Sequence, residues 1–195
     1  MPIKIGLFGG SFSPIGKHHT DIMKNIIQQN ILDEIWVMPC YYSSRKRLEK
    51  AEHRLKMCEI AIKNLQEPKI KLFDYEIKTR FEGESYHFIK RFFQDYNSST
   101  YDYYFILGSD NAQGIFKWYK ADKLINMIKY IVIPRTDYDL DSDAWCLKQP
   151  HIYLRDLSLS DKSSTLIRSQ LKTHHCDLID SDVLAYILEN RLYST

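Results

Sequence analysis

Several common signals are missing from this sequence of 195 residues. Its four cysteines, Cys40, Cys58, Cys146 and Cys176, form no C-x-x-C pair, so the sequence holds neither a zinc nor a redox motif. No apolar run approaches the roughly 20 residues that a membrane-spanning helix needs. No signal-peptide pattern precedes the first strand-like run. Isolated cysteines fit a reducing compartment, so we expect a cytoplasmic protein.

A large excess of charge of one sign is missing as well. The 27 Lys and Arg residues nearly balance the 25 Asp and Glu residues, and the net charge is +2. This balance gives no indication of a nucleic-acid or a membrane partner. Hydrophobic residues make up 44%, which is enough for a sizeable core and too much for a disordered chain. The length predicts a single domain over residues 1–195.

Two well-known nucleotide-binding motifs are missing too. A P-loop reads G-x-x-x-x-G-K-[ST], but one residue too many separates Gly10 from Gly16, and His18 stands where a hydroxyl would hold Mg²⁺. The glycines at positions 6, 9, 10 and 16 do not have the G-x-G-x-x-G spacing of a dinucleotide-binding turn. We therefore expect neither a P-loop kinase nor an NAD-dependent oxidoreductase.

The first 28 residues nevertheless form a strand–turn–helix pattern. A short apolar run ends in Gly9 and Gly10, a polar turn follows, and residues 21–27 have a helical pattern. His18 and His19 stand where that helix should begin. Glycines let the backbone approach a phosphate closely, and a helix N-terminus attracts anions. This stretch therefore predicts a nucleotide-phosphate site.

Strands and helices alternate along the rest of the chain, which predicts a parallel sheet covered on both faces. We expect further strands at residues 34–39, 69–77, 101–107, 130–134 and 151–157, and helices at residues 52–65, 85–96, 117–128, 163–172 and 182–190. Three polar segments follow strands: the glycine pair, the loop after Pro39, and Gly108-Ser109-Asp110. Ligands of such sheets bind beyond the carboxyl ends of the strands, so one shared cleft is expected.

Three longer motifs carry a family resemblance. Residues 10–19 read G-S-F-S-P-I-G-K-H-H, which resembles the G-x-F-D-P-x-H-x-G-H motif of the nucleotidyltransferase superfamily. Residues 162–168 are similar to the I-S-S-T-x-I-R motif of nicotinate/nicotinamide mononucleotide adenylyltransferases, and residues 183–193 resemble that family's V-x-x-Y-I-x-x-x-x-L-Y tail. Shorter family elements lie between them in the expected order: residues 53–57, 76–83, Ser85-Tyr86, Gly108-Ser109-Asp110 and Trp118. The resemblance covers nearly the whole chain.

The resemblance implies a Rossmann-like doubly wound parallel sheet over residues 1–160 and a small helical portion at residues 161–195. It also implies transfer of AMP from ATP to nicotinate mononucleotide, giving deamido-NAD and pyrophosphate. Mg²⁺ would be held mainly by phosphates and water rather than by a protein cage. Two alternatives stay open. One is a transferase with another phosphorylated acceptor, including nicotinamide mononucleotide, and the other is a nucleotide-binding homologue that has lost catalysis.

The resemblance assigns roles to individual residues, and their chemistry fits. Hydroxyls and N–H groups at a helix N-terminus suit phosphates, as does the planar fork of an arginine. Catalytic roles are expected for His19, Arg168 and Lys46. ATP binding is expected at Gly9, Gly10, Ser11, Phe12, His19, Gly108, Asp110, Ser163, Ser164, Thr165 and Arg168. Mononucleotide binding is expected at Ser85, Tyr86, His87 and Trp118, with the tryptophan ring stacked on the pyridine.

The chain departs from the family pattern in its first motif. Ser13 replaces the usual Asp, Gly16 replaces the first histidine, and His18 replaces the glycine. We expect Lys17 or His18 to supply the lost positive charge. His87 replaces a threonine near the pyridine substituent, so nicotinate and nicotinamide both remain possible, although the short length and the tail favour nicotinate.

Overall fold

The computed structural model describes residues 2–44, 47–96, 99–135, 138, 140–157, 164–172 and 176–193. In this part of the chain, six strands form one sheet: β1 Ile3–Gly10, β2 Glu34–Pro39, β3 Ile70–Leu72, β4 Tyr101–Gly108, β5 Lys129–Ile133 and β6 Ile152–Tyr153. Their order is β3-β2-β1-β4-β5-β6, and every neighbouring pair is parallel. This is the order of a Rossmann-like doubly wound sheet, so the predicted fold class is confirmed.

Helices cover both faces of the sheet. The described residues form α1 Lys17–Gln28, α2 Ala51–Leu65, α3 Tyr75–Lys78, α4 Ser85–Asp95, α5 Ser109–Gly114, α6 Ala121–Met127, α7 Ser164–Leu171 and α8 Ser181–Glu189. Short 3₁₀ helices cover Ile115–Lys117 and Trp145–Leu147. One face carries α1, α2, α7 and α8, and the other carries α4, α5 and α6.

The central strands are buried on both faces because their side chains alternate between two apolar clusters. In β1, Ile5 and Leu7 belong to the cluster that includes Phe92 of α4, whereas Phe8 belongs to the cluster that includes Met23 of α1. Because β1 lies between β2 and β4, its carboxyl end is at the point where the strand order reverses. The glycine turn after β1 therefore lies where such sheets bind their ligands.

α1 begins at Lys17, next to the two histidines where the sequence predicts the start of this helix, and so includes both of them. Another predicted helix begins at a different residue in the structure. The helix expected over residues 117–128 begins only at Ala121. Lys120 has a φ of 52°, and this left-handed conformation cannot continue an α-helix.

Two short helices are missing from the sequence-based prediction. The strand expected over residues 69–77 is too long, because β3 has three residues and Tyr75 begins α3. Tyr75 is buried and its hydroxyl donates to Asp95 at the end of α4, so tertiary packing decides this segment. Residues 109–114, for which the sequence analysis gives no helix, form α5.

The carboxyl-terminal helices pack on the same core as the sheet. Ile167 and Leu171 of α7, and Val183 and Ile187 of α8, are buried in the cluster that includes Met23. This packing favours the predicted single domain with a helical carboxyl-terminal portion, a division that stays a prediction. No helix in the described part of the chain combines the length and apolar character needed to cross a bilayer.

Arg54 of α2 is unusual in this core because it is a charged side chain that is only 1% exposed. Its guanidinium donates to three backbone carbonyls at 2.9 Å each: Nη1 to Ser11, Nη2 to Tyr41 and Nε to Glu49. These carbonyls belong to the two loops that follow β1 and β2. Arg54 therefore fastens both loops to α2.

Replacing Arg54 by methionine tests this role. Arg54→Met keeps an apolar stem but leaves three carbonyls without their donor, so we expect the free energy of unfolding to fall by about 3 kcal/mol in urea denaturation. Lys56→Met is the matched control on the same helix, because the ion pair of Lys56 with Glu59 is exposed. The control should change stability by less than about 0.5 kcal/mol. Equal losses in the two variants would contradict the role of Arg54.

Candidate active site

A cleft of about 860 Å³ lies beyond the carboxyl ends of the central strands. It is bounded by the glycine turn, the β2–α2 loop, α5 and the first turns of α1 and α7. Twelve of the residues selected from the sequence line it: Gly9, Gly10, Ser11, Phe12, His19, Ser85, Gly108, Asp110, Trp118, Ser164, Thr165 and Arg168. The structure thus brings segments from both ends of the chain to one site.

The aromatic ring of Phe12 covers the glycine turn at Gly10. Phe12 has a φ of 41°, a left-handed conformation that is strained for a bulky residue. This conformation folds the Phe12 ring over Gly10, where an added Cβ would lie 2.9 Å from the ring atom Cζ. Glycine is therefore required at position 10 because of this close approach. The ring of Phe12 also contacts His19 edge-on, with the ring centroids 5.1 Å apart.

His19 is the third residue of α1, and its protonation follows from its contacts. The Gly16 N–H donates to His19 Nδ1 at 3.0 Å, so the neutral ring carries its proton on Nε2. Burial first, and then the nearby His18 and Arg135, hold the pKa of His19 well below its ordinary value of 6.5. His19 is therefore a neutral hydrogen-bond donor at neutral pH in the ligand-free protein.

Gly16 and His18 share one space at the start of α1. A Cβ added to Gly16 would lie 2.7 Å from His18 Nδ1 and 2.5 Å from Ile167 Cδ1. His18 is 8% exposed, lines the cleft and packs against His19 with a centroid distance of 3.8 Å and the rings tilted by 40°. The His18 imidazole thus lies in the space that a side chain at position 16 would enter.

The first turn of α7 is tied directly to the glycine turn. Arg168 Nη1 donates to the Ser13 carbonyl at 2.8 Å, and Ser164 Oγ donates to the Pro14 carbonyl at 3.1 Å. Arg168 Nη2 also donates to Thr165 Oγ1 at 3.1 Å. The bond from Arg168 to Ser13 joins the motif of residues 162–168 to the motif of residues 10–19 across 155 residues of sequence. The two bonds that Arg168 donates use two of the five N–H donors of a guanidinium.

Cations outnumber carboxyl groups in the described lining. Arg47, Arg135 and Arg168 face this space together with Glu76 and Asp110. Arg135 Nε lies 3.3 Å from Asp110 Oδ1, close enough for an ion pair although the two groups lack hydrogen-bond alignment. An excess of guanidinium groups in a cleft suits a polyanionic ligand such as a nucleoside triphosphate.

Arg135 is the main residue that the sequence analysis did not select. It follows β5 by two residues, at the same edge of the sheet as the glycine turn. A cation directly beyond the carboxyl end of a predicted parallel strand is a signal that could have found it. Glu76 lies in a segment of the family pattern but without an assigned role.

Comparisons with known proteins agree with this geometry. The family model of the cytidylyltransferase-like proteins matches residues 7–170. A probable nicotinate-nucleotide adenylyltransferase of Bacillus licheniformis is 31% identical over 198 residues, covering 98% of this chain and 99% of the relative. The nicotinate-nucleotide adenylyltransferase of Bacillus subtilis is 32% identical over 200 residues, with 98% and 99% covered. The chain belongs to the nicotinate-nucleotide adenylyltransferase family.

Solved structures place members of this family on the same fold. The nicotinic acid mononucleotide adenylyltransferase of Plasmodium falciparum, complexed with NaAD, matches with a TM-score of 0.81 and 28% identity. The match covers 98% of this chain and 97% of that protein. The same Plasmodium protein complexed with APC matches with a TM-score of 0.78. This adenylyltransferase chain therefore shares both its sequence pattern and its whole fold with family members.

Some of the expected site residues lie outside the cleft lining of this family member. Tyr86 and His87 pack against Tyr119, with centroid distances of 5.9 and 5.1 Å. Lys17 is exposed and lines a separate hollow beside α2, so of the two proposed replacements for the first histidine only His18 faces the cleft. Lys46 and Ser163, both expected at the site, lie outside the described residues, and their roles stay predictions.

Glu76 is a carboxyl group in an unusual setting. Burial raises its pKa from 4.5 to about 7, although the Tyr41 N–H donates to its Oε2 at 3.4 Å and Arg54 lies nearby. A carboxyl whose pKa is higher in the folded state binds protons there that the unfolded chain has already lost. Its contribution to stability is therefore present at low pH and is lost as the pH rises through about 7.

Glu76→Gln should remove this pH dependence. Between about pH 5 and about pH 8, the wild type should lose about 2 kcal/mol of unfolding free energy relative to the variant, because only the wild type must ionise a buried group. Urea unfolding at several pH values measures the difference. Glu82→Gln, which changes an exposed acid of the following loop, should run parallel to the wild type. Parallel curves for Glu76→Gln as well would contradict the raised pKa.

Proposed function

We propose that the protein transfers AMP from ATP to nicotinate mononucleotide, giving deamido-NAD and pyrophosphate in NAD synthesis. One observation supports this reading most strongly. The bond from Arg168 to the Ser13 carbonyl joins the α7 motif to the glycine turn, so both predicted phosphate-binding segments face one cationic cleft. A site with two such segments suits two polyanions that must react with each other.

The chemistry needs positioning and charge stabilisation rather than a covalent intermediate. An oxygen of the mononucleotide phosphate attacks the α-phosphorus of ATP. The bond from that phosphorus to the bridging oxygen breaks, and pyrophosphate leaves with the negative charge. We assign the triphosphate to Thr165, Arg168 and the N-terminus of α7, and the turn of Gly9 and Gly10 to the rest of ATP.

The protonation state of His19 determines its role in the proposed reaction. A neutral ring with Nε2–H donates a hydrogen bond without adding a charge, and it does so more strongly as negative charge develops on the departing oxygens. A bound triphosphate would also raise the lowered pKa of His19, because a nearby negative charge favours the imidazolium form. Both effects stabilise the leaving pyrophosphate.

The other end of the cleft is assigned to the mononucleotide. Trp118 and Ser85 lie together there, and we assign stacking on the pyridine ring to the tryptophan. Arg47 and Arg135 are the described cations available for the acceptor phosphate. Asp110, beside Arg135, is assigned to the ATP ribose, as the sequence predicts.

Mg²⁺ is assigned to the nucleotide rather than to the protein. Within the described residues, no three His, Cys, Asp or Glu side chains lie close enough to hold a metal ion. Asp110 already faces Arg135. This lining fits an ion that arrives on the phosphates, where it would neutralise part of their charge. We place the reaction in the cytoplasm, since all four cysteines are free thiols.

A turnover assay tests the proposed function. The purified protein is incubated with ATP, Mg²⁺ and either nicotinate or nicotinamide mononucleotide, and both pyrophosphate and the dinucleotide are measured. We expect deamido-NAD from nicotinate mononucleotide, and a loss of about a hundredfold in kcat/KM for Arg168→Gln, which removes charge-assisted bonds to phosphate. Arg155→Gln is the matched control, because Arg155 packs on Tyr153 outside the cleft. ATP binding without turnover of either mononucleotide would reject the reading.

A swap of two residues tests His18 as the replacement for the family's first histidine. His18→Gly should lower kcat/KM by about tenfold, because one cleft hydrogen bond to phosphate is lost. Gly16→His alone should be impaired, since its side chain would collide with both His18 and Ile167. The double variant Gly16→His/His18→Gly removes the collision with His18 and should recover part of the activity. Lys17→Ala should have a kcat/KM near that of the wild type. If Lys17→Ala instead loses much of its activity while His18→Gly is unaffected, the replacing charge belongs to Lys17.

A further inference from the structure

Ser13, which stands where the family usually has Asp, is a junction of three segments. It is 2% exposed, and its Oγ lies 3.1 Å from the Tyr193 hydroxyl. The Glu49 N–H donates to the same Oγ at 3.4 Å, and Arg168 donates to the Ser13 carbonyl at 2.8 Å. The glycine turn is therefore bonded to the β2–α2 loop, to α7 and to the last described residue of the tail.

Tyr193 is held firmly enough to act on this junction. Its N–H donates to Glu49 Oε1 at 3.2 Å, and the preceding Leu192 is 9% exposed within the apolar core. Burial raises the pKa of the Tyr193 hydroxyl, so the group keeps its proton and can form a hydrogen bond with Ser13 Oγ as donor or as acceptor. The tail is thus anchored through both its backbone and its ring.

The junction flanks the strained residue of the turn. Phe12 has a φ of 41°, and such a conformation persists only where the surrounding contacts hold it. Arg54 holds the residue before it through the Ser11 carbonyl at 2.9 Å. The bonds of Ser13 to Tyr193, Glu49 and Arg168 hold the residue after it.

Because the Phe12 ring contacts His19, the contacts that hold Phe12 also restrict the position of the His19 ring. Its ring, 2% exposed, meets His19 at a centroid distance of 5.1 Å and an interplanar angle of 77°. Phe8 packs against both rings, with centroid distances of 5.8 Å to Phe12 and 6.2 Å to His19. A shift of Ser13 would therefore move Phe12 and with it one wall of the space around the His19 ring.

We propose that Tyr193 is a positioning residue for His19, and that it acts through Ser13 and Phe12 without touching the substrate. The activity readout of this proposal rests on the proposed function, whereas the position of the His19 ring does not. The carboxyl-terminal segment would then be part of the catalytic apparatus rather than only a cover for the core.

Tyr193→Phe tests the proposal because it removes one hydroxyl and keeps the ring. Tyr186→Phe is the matched control: it removes a tail hydroxyl 2.8 Å from His53 Nδ1, on α8 and away from the turn. Thermal unfolding, kcat and KM for ATP are measured for both. We expect similar melting temperatures, but a fall of about fivefold to tenfold in kcat for Tyr193→Phe alone, the effect of one misplaced hydrogen-bond donor. Equal kcat values in the two variants would overturn the proposal.

The ring signals of His19 give a readout that does not depend on turnover. They are assigned in ¹H–¹⁵N spectra from the signals lost in His19→Gln. Tyr193→Phe should shift them, and Tyr186→Phe should leave them in place. Unmoved His19 signals in Tyr193→Phe overturn the proposal whatever the kinetics show. A wild type that binds ATP without turnover overturns the proposed function, and the spectra then still decide the positioning role.

A double-mutant cycle tests the route through Ser13. Ser13→Ala removes the hydroxyl but keeps the carbonyl that Arg168 binds. If Tyr193 acts through Ser13, the double variant Ser13→Ala/Tyr193→Phe should be no slower than the slower single variant. The pair Ser13→Ala/Tyr186→Phe should show independent effects. Additive losses for Ser13→Ala and Tyr193→Phe would overturn the proposed route.

Discussion

The buried guanidinium of Arg54 is the contact on which the shape of the cleft depends. It donates to carbonyls of Ser11, Tyr41 and Glu49, which lie in the two loops that continue beyond the paired ends of β1 and β2. A cation taken out of water must keep its hydrogen bonds, so the two loops can move apart only at a high cost. This cost holds Ser11 at the entry of the glycine turn, and the separate bonds of Ser13 hold its exit. The strained Phe12 can be kept between them because both of its neighbours are held.

The sheet and its cleft were predictable because their determinants are local. Apolar runs such as β2 end at a proline or a glycine pair, and the alternation of strands with helices leaves few topologies. Motif order then identifies both segments that we assign to phosphates, although 155 residues separate Arg168 from Ser13. Helix boundaries were less predictable because they depend on contacts from elsewhere. The left-handed Lys120 and the buried Tyr75 have no distinct local pattern.

The site residues also divide into those that local sequence patterns predict and those that depend on distant contacts. Those on the glycine turn, α5 and α7 line the cleft because the strands and helices that carry them are fixed by the core. Tyr86 and His87, whose expected role at the pyridine stays a prediction, pack against Tyr119 in the turn before α6, a contact that their own sequence segment does not reveal. Sequence patterns did not predict Arg135, because this residue belongs to no motif and is recognised only by its position after β5. Position in the fold therefore adds information that residue type alone does not carry.

The arrangement of charge in the cleft separates binding from catalysis. Arginines attract the triphosphate before and after bond breaking, so much of their contribution is shared by the ground state and the transition state. A group that accelerates the reaction must interact more strongly as charge moves to the leaving oxygens. His19 meets this requirement, because burial keeps it neutral in the ligand-free protein while the Gly16 N–H directs its proton to Nε2. The contribution of His19 depends on the position of its ring. A neutral donor exerts little long-range attraction on the phosphates, so it cannot compensate for a misplaced ring. In the proposed reaction, the contacts that fix Phe12 against His19 would therefore act on the rate through the position of this donor.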